Sequence, residues 1–221
     1  YGVTQPLSLA KPTPEQEQQS EALEAYLRDT DFFETEAEGE RREAVLGRLN
    51  VVVREFVREV ARRKGLPPDI VRMTTGKIFT FGSYRLGVHS RGADIDTLCV
   101  APQHVTRDDF FTVLPELLAQ RAAVSKLTMV PDAYVPVMNL EWDGICLDLL
   151  FARIPTATTV PDSFSLVDST GLLGQLDEKC VLSVNGSRTT DEILRLVPSV
   201  PVFHTALRAI KVWAKERGLY G

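Results

Sequence analysis

The 221-residue sequence predicts an α/β (α+β) fold in which a mixed sheet is flanked by helices. Apolar residues recur at three- and four-residue spacing across residues 39–64, which indicates a long amphipathic helix. Asp143-Gly144 separates two β-type runs, an arrangement typical of a tight hairpin. Short β-type runs predict strands at residues 77–81, 94–100, 125–130, 134–141 and 145–153.

Composition and charge indicate a globular protein and argue against two classes, membrane-spanning proteins and proteins with a broad nucleic-acid-binding surface. The chain is 44% hydrophobic and 25% charged, as folded globular proteins are. It has no run of roughly 18 apolar residues, the length of a membrane span, so we expect no membrane partner. A net charge of −5 argues against a broad basic surface for nucleic acid. The three cysteines lack metal-site spacing, and we expect buried free thiols.

Two N-terminal helices follow from a capping signal and from the apolar stripe. Thr13-Pro14 followed by Gln16 forms a capping box, which predicts a helix to about Arg28. Residues 29–40 are acidic and predict a loop. The helix over residues 39–64 carries many arginines. They suit an RNA-binding stripe or, as we favour, a solvated face paired with glutamates.

Further helices are predicted around and after the hairpin. Thr106 caps a helix whose first turn is acidic, in keeping with the helix dipole. Asn185-Gly186 predicts a tight turn, after which Thr190 caps a short helix that Pro198 ends. A last helix covers residues 201–217. Its basic residues share one face, which suits a solvated surface or contact with a triphosphate: Arg208, Lys211 and Lys215.

Two aspartates downstream of a glycine-serine pair are the strongest chemical signal in the sequence. Asp94 and Asp96 are two residues apart in a predicted strand, so both carboxylates lie on the same face. Neighbouring carboxylates repel each other unless a cation lies between them. Hard oxygen ligands of this kind suit Mg²⁺. Gly82 and Ser83 offer backbone N–H groups and a hydroxyl that suit a phosphate.

A third carboxylate lies on the second arm of the hairpin. Asp148 is the single charged residue between Ile145 and Phe151, and a lone carboxylate in an apolar strand is costly without a partner. A metal ion shared with Asp94 and Asp96 would be that partner. A bond to an arginine at the rim of the sheet is the alternative.

The order of these motifs resembles the polymerase-β-like nucleotidyltransferase superfamily: Gly-Ser, then Asp-x-Asp, then a distant aspartate on a strand. More specifically, the sequence resembles the eukaryotic nuclear poly(A) polymerase family. The similar segments are residues 1–9, 81–89, 92–102, 143–153, 182–194 and 207–215. The resemblance covers essentially all 221 residues.

The resemblance implies a set of site residues and a domain organisation. Asp94, Asp96 and Asp148 would be the catalytic triad that binds two Mg²⁺ or Mn²⁺ ions. Residues 41–156 would form the nucleotidyltransferase domain, and residues 1–40 and 157–221 an incomplete helical central domain in a truncated chain without the C-terminal RNA-binding domain. The residues implied to bind ATP are Phe81, Gly82, Ser83, Asn185, Lys211, Lys215 and Tyr220.

The activity implied by the resemblance is template-independent addition of AMP from ATP to the 3′-hydroxyl of RNA. The family implies a monomeric catalytic subunit in the nucleus, working with mRNA cleavage and polyadenylation factors. The alternatives are an enzyme of other specificity (uridylyl, CCA-adding or oligoadenylate-making) and a nucleotide-binding scaffold without catalysis. Three intact carboxylates argue against the scaffold, because a cluster of like charges is costly to keep.

Overall fold

Five strands form one mixed sheet in the described part of the chain, which comprises residues 4–5, 8–30, 32–167 and 171–219 of the computed structural model. The strands are β1 (Lys77–Thr80), β2 (Ile95–Pro102), β3 (Val124–Val130), β4 (Val137–Trp142) and β5 (Ile145–Ile154). Their spatial order is β1-β2-β5-β4-β3. β2 and β5 run parallel, whereas the other neighbouring pairs run antiparallel. The predicted mixed sheet is confirmed.

The described residues also form seven α-helices, most of which pack on this sheet, while the first and the last pack against each other. The helices are α1 (Pro14–Asp29), α2 (Glu36–Arg63), α3 (Pro68–Met73), α4 (Gly82–Arg85), α5 (Arg107–Ala119), α6 (Glu178–Leu196) and α7 (Val200–Glu216). A 3₁₀ turn at Leu172–Gln175 precedes α6. Among the described residues no single helix has the length and apolar character of a membrane span, although α6 and α7 meet those criteria together across a 119° bend.

Capping boxes begin three of these helices. Thr13 and Thr106 cap α1 and α5 as predicted. The prediction of a loop over residues 29–40 was wrong at its end, because α2 begins at Glu36. Thr35 accepts from the Glu38 backbone N–H while the Glu38 carboxylate accepts from Thr35. An acidic first turn therefore favours the helix here instead of opposing it.

The predicted turn at Asn185-Gly186 was wrong, since α6 continues through both residues. Asp177 caps α6 by accepting from the Cys180 backbone N–H at 2.9 Å. A glycine is required inside this helix because a Cβ at Gly186 would lie 2.7 Å from the Phe81 ring. Thr190 is not a cap, and its hydroxyl donates to the Gly186 carbonyl one turn earlier.

The two faces of the sheet carry different cores. On the first face, α2 and α5 pack against Ile95, Leu147 and Leu149. The apolar stripe of α2 is buried there as predicted, from Val45 to Val60. On the second face, α6 packs against the C-terminal halves of β2 and β5.

Four arginines of α2 form ion pairs on a partly exposed face, as we favoured, but their partners include only one glutamate of the helix itself, Glu59. These pairs join Arg48 to Asp143, Arg54 to Asp162, Arg62 and Arg63 to Glu59, and Arg63 to Glu116. Arg42 also forms an ion pair, with Glu34 at 2.6 Å, but unlike the others its side chain is buried. Cys99 and Cys180 are buried as expected, but Cys146 is exposed.

Candidate active site

The register of the parallel strands brings two of the predicted carboxylates side by side. Asp96 on β2 is the direct partner of Asp148 on β5. Both side chains lie on the second face of the sheet and are half-buried, because their strand neighbours Ile95 and Leu147 point into the first core. Asp94 immediately precedes β2 and is exposed. Asp96 and Asp148 therefore lie side by side on the second face, and the charge of Asp94 acts on Asp96 from the residue before the strand.

Burial and neighbouring charge both act on Asp96. The pKa of Asp96 is raised to about 6, first by burial and then by the carboxylates of Asp94 and Asp148. As the side chains stand, no group of three His, Cys, Asp or Glu residues within the described ranges is gathered closely enough to ligate a metal ion. Asp96 nevertheless lies among like charges, the environment that a bound cation stabilises.

The glycine-serine loop contacts this cluster directly. Gly82 has a φ of +62°, and a Cβ there would lie 2.1 Å from Asp96 Oδ2. Both the backbone conformation and the close approach favour glycine here, because any Cβ would strain the loop and displace the Asp96 side chain. The Phe81 backbone N–H donates to the Asp96 carbonyl at 3.1 Å. The loop and the carboxylates thus form one unit, with Ser83 half-buried in α4.

Helix α6 closes the other side of the loop. The Gly82 backbone N–H donates to Thr190 Oγ1 at 3.1 Å, so this amide is already engaged within the protein. Arg85 pairs with Asp191 at 2.9 Å. Asn185 is exposed and adjoins Gly186, the residue that abuts Phe81.

Helix α7 contacts the segment that precedes Asp94. Lys211 donates to the Val88 carbonyl at 3.0 Å. Burial lowers the pKa of Lys211, while the charge of Asp94 opposes that shift. Lys215 lies one turn further along and is exposed. Tyr220 lies outside the described residues.

Two hydrogen bonds at this site were not predicted from the sequence. Asn139 on β4 donates from Nδ2 to Asp148 Oδ1 at 2.6 Å. Thr190 holds the Gly82 amide. The first contact had a signal, because a two-residue turn at Asp143-Gly144 sets a register that pairs position 139 with 148. The second depends on a long-range packing of α6 for which the sequence gives no signal.

Solved structures share this fold. The RNA terminal uridylyl transferase Cid1 superimposes with a TM-score of 0.55 at 13% identity, over 90% of this chain and 47% of Cid1. A cytoplasmic RNA terminal U-transferase superimposes with a TM-score of 0.54 at 14% identity, over 90% of this chain and 45% of the transferase chain. At such identities the likeness shows the nucleotidyltransferase fold and nothing finer.

Sequence comparison is more specific. Residues 2–197 match the family model of the poly(A) polymerase nucleotidyltransferase domain, and the chain belongs to this family. Poly(A) polymerase PAPalpha of Candida albicans is 47% identical over all of this chain and 39% of its own length. Nuclear poly(A) polymerase 1 of Arabidopsis thaliana is 44% identical over 100% of this chain and 31% of its own length. The poly(A) polymerase of Dictyostelium discoideum is 45% identical over 99% of this chain and 27% of its own length. The chain thus spans well under half the length of these relatives.

Family membership bears on the carboxylate cluster. Nucleotidyltransferases of this family use divalent metal ions. Carboxylate oxygens suit hard divalent cations. Asp96 and Asp148 place two carboxylates side by side at one register position of neighbouring strands. The residues present therefore fit a divalent ion.

Proposed function

We propose that this chain is the catalytic part of a template-independent polynucleotide adenylyltransferase. In the proposed reaction the 3′-hydroxyl oxygen of RNA bonds to the α-phosphorus of ATP, and the bond to the bridging oxygen breaks to release pyrophosphate. The observation that carries the proposal is the side-by-side register of Asp96 and Asp148 in a chain of this family. Asp96 and Asp148 are half-buried and Asp94 is exposed, so a substrate has access to these carboxylates.

The proposed metal ligands are Asp94, Asp96 and Asp148, and the proposed ions are two Mg²⁺ or Mn²⁺. When bound, such ions lower the pKa of an attacking hydroxyl and neutralise charge on the leaving group. Asp94 and Asp96 would hold the ions together with Asp148, the carboxylate beside Asp96 in the strand register. Asp148 would also be the group that takes up the proton of the attacking hydroxyl.

The proposed ATP contacts surround these carboxylates. The residues assigned to them are Phe81, Gly82, Ser83, Asn185, Lys211, Lys215 and Tyr220. Since Gly82 already donates its amide to Thr190, its role is to let the loop approach Asp96 closely. Lys211 contributes positive charge to the triphosphate after it exchanges the Val88 carbonyl for a phosphate oxygen.

The wider assignments follow from the family. We assign residues 41–156 to the catalytic domain and residues 1–40 and 157–221 to a helical unit beside it. Two Arabidopsis relatives are named nuclear, which supports a nuclear location. The partners proposed are ATP, the RNA 3′ end and the mRNA cleavage and polyadenylation factors, with the protein acting as a monomeric catalytic subunit.

Primer extension tests this proposal. The full-length protein is incubated with an unstructured RNA, Mg²⁺ or Mn²⁺, and each nucleoside triphosphate separately. We expect a long ladder with ATP alone. A ladder with UTP, or a stop after a few C and A additions, would retain the carboxylates and overturn the adenylyl specificity. A folded protein that binds ATP without extending RNA would be a scaffold.

A further inference from the structure

We propose that Asn139 is a positioning residue that fixes the orientation of the Asp148 carboxylate. This inference rests on the proposed function, in which Asp148 binds a metal ion. It concerns a side chain on β4, a strand that carries none of the residues assigned to catalysis or to ATP.

The bond between the two side chains is short and its direction is unambiguous. Asn139 and Asp148 are direct partners in the antiparallel pair of β4 and β5. Asn139 Nδ2 lies 2.6 Å from Asp148 Oδ1. An ionised carboxylate only accepts hydrogen bonds, so the amide nitrogen must be the group that faces it.

The backbone around Asn139 is held firmly. Its neighbours Met138 and Leu140 are buried in the first core at 0% and 3% exposure. Because side chains alternate along a strand, their burial directs Asn139 to the second face, where Asp148 lies. Asp96, Asp148 and Asn139 therefore form one row across β2, β5 and β4.

A neutral amide suits the purpose of orienting a metal ligand. The terminal torsion of an aspartate is broad and has no strongly preferred value. A hydrogen bond to Oδ1 restricts this torsion and leaves Oδ2 available to another partner. The amide carries no net charge, so the negative charge that attracts a cation is kept. Residues that support metal ligands in this way typically contribute 10–100-fold to metal affinity or activity.

The same strand provides a matched control. Glu141 is two residues from Asn139 and lies on the same face, but it pairs with Lys126 at 2.6 Å. A change at Glu141 alters the charge and the surface of β4 without touching Asp148. It separates an effect on the carboxylate from a general effect on the strand.

The test compares variants of the full-length protein. Asn139→Leu keeps the approximate side-chain volume and removes the donor, whereas Asn139→Gln keeps an amide on a longer stem. Mn²⁺ binding is measured by the loss of the free-ion EPR signal on titration, and AMP addition to RNA is measured over the same Mn²⁺ range. If Asn139→Leu does not fold, Asn139→Ala replaces it in the same two measurements.

We expect Asn139→Leu to weaken Mn²⁺ binding by about tenfold or more and to raise the Mn²⁺ requirement of AMP addition in parallel. Asn139→Gln recovers part of the loss, and Glu141→Gln matches the wild type. Wild-type Mn²⁺ binding in Asn139→Leu, alongside lost binding in Asp148→Ala, would overturn the role of Asn139 and leave the proposed function intact. Wild-type binding and activity in Asp148→Ala would overturn both.

Discussion

The two faces of the central sheet are built to different requirements, and neighbouring residues on β5 show the difference. Leu147 points into the first face and is fully buried beneath α2 and α5. Asp148 points to the second face, where α6 covers Leu98 and Ala152 but leaves the Asp148 end half-exposed. Because side chains alternate along a strand, one segment holds the core together on one side and presents carboxylates on the other.

The largest expected effect is a difference in unfolding free energy between variants of Leu147 and Asp148. Leu147→Ala removes buried methyl groups from the first core and should lower the free energy of unfolding by about 2–5 kcal/mol. Asp148→Asn, which keeps the shape of its side chain, should leave that free energy unchanged or raise it. Urea unfolding of both variants of the full-length protein measures the contrast.

Equal destabilisation by Leu147→Ala and Asp148→Asn would contradict the division between the faces. It would mean that the carboxylate contributes to stability as much as the core does, and that the second face has no special chemical status.

A smaller effect is expected at the loop that contacts Asp96. Gly82→Ala forces a Cβ toward Asp96 Oδ2, 2.1 Å away, and strains a backbone with a φ of +62°. We expect a loss of about 1–3 kcal/mol in stability. Displacement of Asp96 should also lower the rate of AMP addition by roughly 100-fold.

Gly65 is the matched control for this substitution. It has a φ of +68°, and a Cβ added there would meet nothing within 4 Å. Gly65→Ala should therefore cost about 1–2 kcal/mol through backbone strain and leave the rate unchanged. The close approach to Asp96 is disproved as the cause if both variants lose activity equally.

A third effect concerns charge within the cluster. The ordinary pKa of Asp96 is 3.8, and burial with two neighbouring carboxylates raises it to about 6 in the folded protein. The folded state therefore binds this proton more tightly than the unfolded state. The resulting stability is fully present below the unfolded pKa and is lost as the pH rises through about 6.

Asp96→Asn tests this linkage. In EDTA at pH 7 the variant should be more stable than the wild type by about 1–2 kcal/mol, and this difference should shrink as the pH falls toward 4. Urea unfolding across this pH range measures it. A difference that does not vary with pH would refute the assignment of the raised pKa to Asp96.

The smallest effect on stability is expected at an exposed ion pair of helix α2. Arg62 is 58% exposed in its pair with Glu59. Arg62→Ala should change stability by less than about 1 kcal/mol and leave RNA affinity unaltered, which filter binding at two salt concentrations measures. A loss of affinity that grows at low salt would instead support an RNA-binding stripe on α2.

The strands and most helices could be predicted because their signals are local. Alternation and the Asp143-Gly144 turn define the hairpin, and Thr13 and Thr106 begin helices through capping boxes. The same hairpin register pairs Asn139 with Asp148, so even this contact was accessible by counting from the turn.

Other features depend on packing between distant segments. Gly186 looks like a turn residue until α6 meets Phe81 and requires a residue without a Cβ. Thr190 looks like a helix cap until its hydroxyl is seen to accept from Gly82. Both errors have one cause: a small residue selected by a tertiary contact carries the same local signal as one selected by a turn or a cap.

The central claim is that the carboxylates at the open end of the second face carry out chemistry without holding the fold together. A single-turnover measurement of AMP addition to a labelled RNA by the wild-type protein and by Asp148→Asn tests it most directly. We expect the rate to fall by about 10²–10³-fold or more, with ATP binding and the free energy of unfolding preserved. Near-normal turnover by Asp148→Asn would contradict the account.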